Sequence, residues 1–202
     1  LDKPCGISSA KAVDIVRRAF DAAKAGHGGT LDPLASGVLP IALGEATKTV
    51  SYTMGRSKSY EFSLTWGSET STDDTEGEVT RHSDRRPSDD DIDRALTQFQ
   101  GVIDQVPPDY SAIKIEGARA YDLARRAGAG QPLPALKPRQ VRIDEFRRLD
   151  ADQMGARFFV GCGKGAYIRA LARDLGRALG SAAHVTSLRR LSVGQVHADH
   201  AI

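Results

Sequence analysis

The residues best suited to chemistry lie in one loop, residues 25–37, whose only carboxylate is Asp32. Three of the four positions 26–29 are glycine, which permits tight turns. Pro33 disfavours the α-helical region for the residue before it, so the sequence predicts Asp32 at the end of a tight turn. A carboxylate in that setting is either a reactive group or an Asp that caps a turn or helix. No Glu, Cys, His or second Asp lies within four residues of it, so we expect no local metal site.

Three further polar residues are candidates because of their places in predicted elements. Alternation over residues 58–66 predicts a strand, and Tyr60 is the first large side chain on its apolar face. Tyr167 and Arg169 fall in the first turn of a helix predicted over residues 166–179. A cation at the start of a helix opposes the helix dipole, so we expect Arg169 to have a carboxylate partner.

The elements that must position these groups follow from the hydrophobic pattern. Ser8 or Ser9 caps a predicted helix that runs to about residue 23, and residues 37–44 read as one buried strand. Residues 68–88 are polar and acidic, which predicts a solvated connection. The other predictions are helices over 45–54 and 89–99, strands over 141–149 and 157–162, and a loop and strand with two adjacent arginines over 183–193. Because strands and helices do not alternate strictly, the expected fold class is α+β with a mixed sheet.

Size and composition favour one domain. A chain of 202 residues fits a single core. No apolar run reaches the roughly 18 residues that cross a bilayer, and two distant cysteines make no disulfide framework. We therefore expect a cytoplasmic protein without membrane contact. Residues 61–100 carry 4 basic and 11 acidic side chains, whereas residues 101–202 carry 16 basic and 10 acidic ones. Residues from about 107 to 140 are expected to form a basic, mobile insertion whose cations can meet phosphates, or alternatively a basic loop that binds nothing.

Six separated stretches share their residues and their order with one known family. They are Leu1-Asp2-Lys3-Pro4 with Gly6 and Ser8, Gly26-His27-Gly28-Gly29-Thr30-Leu31-Asp32-Pro33-Leu34-Ala35-Ser36-Gly37, Gly44-Glu45-Ala46-Thr47-Lys48, Tyr110-Ser111-Ala112-Ile113-Lys114, Lys164-Gly165-Ala166-Tyr167-Ile168-Arg169 and Leu188-Arg189-Arg190-Leu191. Together they resemble the TruB family, the bacterial tRNA pseudouridine-55 synthases. Small departures at residues 28–30 and 166 remove no functional group that the family would need there.

The resemblance implies a mixed, mostly antiparallel sheet flanked by helices and loops around a central cleft. It also implies an isomerase that converts a flipped-out T-loop uridine of tRNA, position 55, into pseudouridine. The ribose bond moves from N1 to C5 of uracil, so no cofactor is expected. Asp32 is by resemblance the nucleophile, which attacks either C1′ of the ribose or C6 of the base. By the same resemblance, Arg169 keeps that carboxylate ionised, and Tyr60 stacks on the uracil.

The resemblance assigns substrate contacts to His27, Tyr167 and Leu188. Weaker expected RNA contacts are Lys3, Lys48, Lys114 and Arg119, the lysines alternatively supporting the scaffold. Residues 1–202 are expected to form the catalytic domain, and the PUA-type domain that usually follows it is absent from this chain. The expected partner is the T-arm stem-loop of tRNA, bound by a monomer that needs no other protein.

Two other functions remain open from the residues alone. One is an RNA-binding or RNA-folding protein, which the basic insertion favours and the presence of Asp32, Tyr60 and Arg169 disfavours. The other is a guide-RNA-dependent relative within a ribonucleoprotein, against which the Gly44-Glu45-Ala46-Thr47-Lys48 stretch counts. A phosphate-binding NTPase is disfavoured because no Gly-Lys-Ser/Thr follows the glycine-rich loop.

Overall fold

The structure is a computed structural model that describes residues 1–55, 57–111, 114–115, 118–119 and 136–202. The α-helices in this part of the chain are α1 (Ser9–Ala19), α2 (Val50–Met54), α3 (Asp89–Leu96) and α4 (Ile168–Ala178). The strands are β1 (Asp2–Lys3), β2 (Ala25–His27), β3 (Ala35–Val38), β4 (Ile41–Leu43), β5 (Lys58–Trp66), β6 (Ser68–Thr70), β7 (Val79–His82), β8 (Gly101–Gln105), β9 (Lys114–Ile115), β10 (Ala118–Arg119), β11 (Arg139–Ala151), β12 (Gly155–Cys162), β13 (Ala183–Val193) and β14 (Val196–His197). Short 3₁₀ turns cover Gly44–Thr49, Thr97–Phe99 and Ala198–His200.

One eight-stranded sheet forms the centre of the fold. Its order is β1-β3-β13-β5-β12-β11-β8, with β14 paired to β13. Strands β3 and β13 run parallel, and the other neighbours in this sheet are antiparallel. Three small antiparallel pairs, β2–β4, β6–β7 and β9–β10, lie outside it. The expected α+β class with a mixed, mostly antiparallel sheet is therefore confirmed.

The core lies on the face of the sheet that α3 and α4 cover. In β5 the buried residues alternate with half-buried polar ones, so the strand predicted over residues 58–66 is confirmed at both ends. Phe62 of β5 stacks on Phe158 of β12, with ring centroids 5.3 Å apart. Leu171 and Leu175 of α4 are fully buried in the same cluster. Burial of these side chains is the main force that holds α4 against the sheet.

Helix α1 begins where the sequence predicts and ends earlier. The Ser8 hydroxyl accepts the Lys11 amide and caps the helix. The helix stops at Ala19 rather than near residue 23, and Asp21 has a positive φ of 45°, which no α-helix accommodates. Phe20, which follows the last helical residue, remains exposed.

Residues 37–44 do not form the single buried strand that the sequence predicts. Strands β3 and β4 belong to different sheets, and Pro40 lies between them. Proline has no amide hydrogen to donate to a ladder, so the strand breaks at that point.

Residues 68–88 are not the solvated connection that their composition predicts. Strands β6 and β7 form a hairpin whose carboxylates Glu69, Asp73 and Asp74 are buried. The prediction failed because the cations that neutralise these groups lie about a hundred residues away, on α4.

Most of the basic insertion expected at about 107–140 lies outside the described residues. Of residues 112–135, the structure describes only the backbone of β9 and β10. No helix within the described ranges is long and apolar enough to cross a bilayer.

Candidate active site

The loop that carries Asp32 joins β2 to β3 and is fastened at its tip. The Ala35 amide donates to the Asp32 carbonyl at 3.0 Å, which closes a turn around Pro33. Ser9, in the first turn of α1, places its hydroxyl oxygen 2.8 Å from both the amide nitrogen and the carbonyl oxygen of Leu31. Asp32 therefore begins a tight turn, rather than ending one as the sequence predicts, and it follows a residue fixed to α1.

Asp32 forms an ion pair with Arg169 across the fold. Arg169 Nη2 lies 2.9 Å from Asp32 Oδ2, and the two side chains are 6% and 38% exposed. The same guanidinium donates to the carbonyls of Thr72 at 2.7 Å and Tyr110 at 2.9 Å. An arginine does not lose its proton in a protein, and these bonds fix its plane. A fixed positive charge thus faces a carboxylate that solvent, or a ligand, still reaches.

A second carboxylate, Asp74, lies on the inner side of Arg169. Its Oδ2 is 3.6 Å from Arg169 Nη1, and its side chain is almost fully buried. Its Oδ1 accepts the Glu76 amide at 3.0 Å and the Thr72 hydroxyl. Arg169 therefore lies between one accessible and one buried carboxylate. Sequence reasoning missed Asp74 because its segment was predicted to be solvated.

The start of α4 is held by Gln105, the last residue of β8. Gln105 Nε2 donates to the Tyr167 carbonyl at 3.1 Å, and its Oε1 accepts the Tyr167 amide at 2.8 Å. Tyr167 precedes α4 and its side chain makes no cap, so this buried amide takes over the capping. The Tyr167 phenol is half-buried, and burial raises its pKa, with the charge of Asp32 adding to that increase. Gln105 was also missed from the sequence, since no local pattern marks it.

The remaining predicted site residues lie around the same loop. Tyr60 is buried, and burial raises its pKa to about 12, with Asp32 adding to the increase and Arg190 opposing it. His27 is half-buried at the end of β2, and burial and the charge of Arg190 lower its pKa, which favours the neutral imidazole. Leu188 of β13 is buried opposite Ala35 of β3, just after the loop. Tyr60, Tyr167 and His27 therefore remain neutral near neutral pH.

The lysines and Arg119 fall into three groups. Lys3 is fully buried, and its Nζ donates to the carbonyls of Pro4 and Ile7 at 2.8 Å each. This position is at odds with the expected RNA contact and fits the alternative of scaffold support. Lys48 is exposed and paired with Glu45 on the surface. The side chains of Lys114 and Arg119 lie outside the described part of the structure.

Within the described ranges, no group of three or more His, Cys, Asp or Glu side chains is arranged to hold a metal ion. The site's charged groups are instead two carboxylates on one guanidinium, Asp32 and Asp74 on Arg169.

Solved structures of an H/ACA RNP and of Cbf5-containing complexes share this fold. One is the crystal structure of a Cbf5-Nop10-Gar1 complex, 29% identical, with a TM-score of 0.72 over 96% of this chain and 49% of that one. Another is an H/ACA RNP bound to a substrate RNA that contains 2′-deoxyuridine, 28% identical, with a TM-score of 0.69 over 96% of this chain and 46% of that one.

The chain belongs to the TruB family. Residues 17–168 match the family model of the TruB pseudouridylate synthase N-terminal domain, and residues 169–202 match that of the tRNA pseudouridylate synthase B C-terminal domain. Strand β13, from the second match, lies between β3 and β5 of the first, so both regions share one sheet.

Curated relatives named tRNA pseudouridine synthase B are similar along most of the chain. That of Brucella ovis is 54% identical over 195 residues, 95% of this chain and 58% of its own length. That of Gluconacetobacter diazotrophicus is 56% identical over 197 residues, 96% of this chain and 62% of its own length. The chain thus spans about three fifths of the length of these relatives.

Proposed function

We propose that this chain is the catalytic domain of a tRNA pseudouridine synthase. Its substrate is a flipped-out uridine at position 55 in the T-loop of tRNA, and its reaction is the isomerisation of that uridine. The curated relatives at 54–56% identity support the substrate class. The ion pair between accessible Asp32 and buried Arg169, 2.9 Å apart, is the observation that carries the catalytic assignment.

Asp32 is the proposed nucleophile. Its carboxylate attacks either C1′ of the ribose or C6 of the uracil. In either case the bond from N1 to C1′ breaks, a bond from C5 to C1′ forms, and the bond between Asp32 and the substrate breaks again before the product leaves. The proton on C5 is lost and N1 gains one, so atoms and electrons balance without an oxidant or a cofactor. Arg169 supplies a charge that offsets the cost of removing Asp32 from water when the substrate covers it.

The tyrosines are the proposed contacts of the extruded base. A pyrimidine that leaves its stack loses a few kcal/mol of stacking energy, which an aromatic face partly restores. Burial raises the pKa of Tyr60 to about 12, so its phenol keeps its proton while its oxygen accepts a hydrogen bond from Arg190. Tyr167, His27 and Leu188 complete the proposed substrate contacts.

The proposed partner is the T-arm of tRNA, met by a monomer in the cytoplasm without an obligatory protein partner. RNA is read most readily where its bases are already unstacked, as in a loop. The basic insertion at about 107–140 is proposed to follow the stem by charge and shape. Lys48, Lys114 and Arg119 remain proposed RNA contacts, whereas the buried Lys3 does not.

A guide-RNA-dependent activity is the second candidate, because solved structures that share the fold include an H/ACA RNP. Identity is 28–29% to those structures and 54–56% to the tRNA enzymes, which favours action on tRNA. Purified chain incubated with unmodified tRNA and no other factor separates the two candidates. Pseudouridine at position 55 supports the first, and product only with an added guide RNA supports the second.

Asp32→Asn tests the catalytic assignment. The amide is nearly the same size but is a poor nucleophile, so we expect the rate of pseudouridine formation to fall by more than about a thousandfold. Tritium release from tRNA labelled at uridine C5 measures the rate, and filter binding measures tRNA affinity. Affinity should stay within about threefold, since phosphate contacts dominate it.

Asp150→Asn is the matched control, because Asp150 is an exposed carboxylate that pairs with Arg157 near the turn between β11 and β12. That variant should keep the wild-type rate. An unchanged rate in Asp32→Asn would show that another group performs the chemistry. Binding of tRNA without any product in the wild type would favour an RNA-binding protein instead.

A further inference from the structure

Arg190 is a buried cation directly beneath the loop that carries Asp32. It lies on β13 opposite Gly37 of β3 and Tyr60 of β5, and is 1% exposed. Its neighbour Arg189 points to the other face of the sheet, where it pairs with Asp2 at 2.7 and 3.0 Å. Alternation along the strand thus gives two adjacent arginines opposite environments.

The guanidinium of Arg190 binds backbone carbonyls on both sides of Asp32. Its Nη2 donates to Gly29 at 3.0 Å and its Nη1 to Thr30 at 3.3 Å, both before Asp32 in the chain. Its Nε donates to Val38 at 2.7 Å, after Asp32. Because the guanidinium is planar and rigid, these bonds fix the distance between the two ends of the loop.

Packing alone does not explain a charge at this position. Within the described ranges, Arg190 forms no ion pair with a carboxylate within 4.0 Å, and its hydrogen-bond partners are neutral groups: three backbone carbonyls and the Tyr60 phenol. Burying a cation without a counter-charge is costly, and an apolar side chain of similar volume would fill the space at lower cost. What an apolar side chain lacks is a set of donors aimed at three carbonyls.

We propose that Arg190 is a positioning residue that sets the place of Asp32 by holding both ends of its loop. The proposal rests on the proposed function, because it concerns how the nucleophile is placed. It also extends to Tyr60, whose phenol lies beside the same guanidinium. One guanidinium therefore contacts both the loop that carries Asp32 and the phenol of Tyr60.

Arg190→Lys tests the proposal while keeping the charge. A single ammonium cannot span three carbonyls, so we expect kcat for tRNA to fall by about a hundredfold with KM within about threefold. Hydrogen–deuterium exchange should rise about tenfold in peptides covering residues 28–38 and stay unchanged in α4. Arg190→Met should show the same pattern, at least as strongly, and Arg189→Lys should leave kcat and loop exchange at wild-type values.

Each outcome bears on the proposal. If Arg190→Lys keeps kcat and loop exchange, Arg190 does not position the loop. If it raises exchange evenly across the sheet, or unfolds the protein, Arg190 stabilises the sheet as a whole and the proposal is overturned. The exchange measurement needs no activity, so it still judges Arg190 if the wild type makes no pseudouridine, a result that would refute the proposed function alone.

Discussion

At the scale of single residues, the candidate site is built from charges whose burial differs sharply. Asp32 remains accessible while its partner Arg169 is buried, which leaves the carboxylate open to solvent and its counter-charge fixed. Asp73 shows the opposite case. Asp73 is buried together with Arg173, and Arg173 Nη1 lies 2.9 Å from Asp73 Oδ2. Burial nevertheless raises the pKa of Asp73 to about 6, since the charge of Arg173 does not fully offset the loss of water.

Asp73 should make stability depend on pH. Between about pH 4 and pH 6 the folded state holds a proton that the unfolded chain has released, so this group's contribution to the free energy of unfolding falls as pH rises and is constant above. Asp73→Asn removes that contribution, and Asn tolerates the φ of 61° at this position. Relative to the variant, the wild type should lose up to about 3 kcal/mol between pH 4 and pH 7.

Urea unfolding of both proteins at four pH values measures this difference. Other carboxylates act equally in both proteins and cancel in the comparison. A difference that does not change with pH would mean that Asp73 is ionised in the folded state throughout this range.

At the scale of elements, α4 and the β6–β7 hairpin are joined by a row of three ion pairs. Arg169, Arg173 and Arg177 follow one another at four-residue spacing and so share a face of α4. Their partners on the hairpin segment are Asp74, Asp73 and Glu69. Asp32 binds Arg169, the first of these arginines. The hairpin therefore supports the placement of the proposed nucleophile through α4.

In the ion pair between Arg177 and Glu69, replacing the arginine and replacing the glutamate should lower the free energy of unfolding by different amounts. Arg177 donates to both oxygens of Glu69 at 3.0 and 2.7 Å, and its side chain is 56% exposed against 4% for Glu69. Arg177→Met leaves a buried carboxylate with only Arg81 and should lower the free energy of unfolding by about 2 kcal/mol. Glu69→Gln leaves cations that water can solvate and should lower it by only about 1 kcal/mol.

Chemical denaturation of the two variants tests this order. Lys48→Met, which removes a surface ion pair, is the control and should change stability by less than about 0.5 kcal/mol. Equal losses in Arg177→Met and Glu69→Gln would contradict the argument, because they would show that the carboxylate is not the group that burial penalises.

At the scale of the whole molecule, the site depends on the order of strands in the sheet. Strand β13 lies between β3 and β5, which brings Arg190 beside Tyr60 and beneath the loop that ends at β3. Strands β3 and β13 come so close at Gly37 that a Cβ there would lie 2.1 Å from the Arg190 carbonyl oxygen. Gly37 also has a φ of 104°, a backbone conformation that residues with a side chain rarely adopt.

Gly37→Ala should therefore prevent this strand pairing. The added Cβ is bonded directly to the β3 backbone and the oxygen it meets belongs to the β13 backbone. Relief therefore requires a shift of β3 or β13, and we expect a loss of more than about 3 kcal/mol or failure to fold. Gly44→Ala is the control, since φ is also positive there but no atom lies within 4 Å of the added Cβ. It should lower stability by about 1 kcal/mol. Similar melting temperatures for the two variants would contradict this account.

Local sequence alone determined the strand β5, the Ser8 cap of α1 and the turn beside Asp32, because alternation, capping and proline act over a few residues. It placed the start of α4 about two residues too early, because Tyr167 precedes the helix. The resemblance of the motifs to the TruB family also assigns Asp32, Tyr60 and Arg169 to one site.

Only the tertiary structure decided which charges are buried. The sequence predicts solvated carboxylates in the hairpin, leaves Lys3 either in contact with RNA or supporting the scaffold, and does not distinguish the two arginines of β13. In the structure these carboxylates and Lys3 are buried, and the two arginines face opposite sides of the sheet. Whether a charge can be buried depends on counter-charges and carbonyls supplied by distant parts of the chain. Those partners meet only when the sheet forms, so the position of Asp74 beside Arg169 and of Arg190 beneath the loop could not be seen from neighbouring residues.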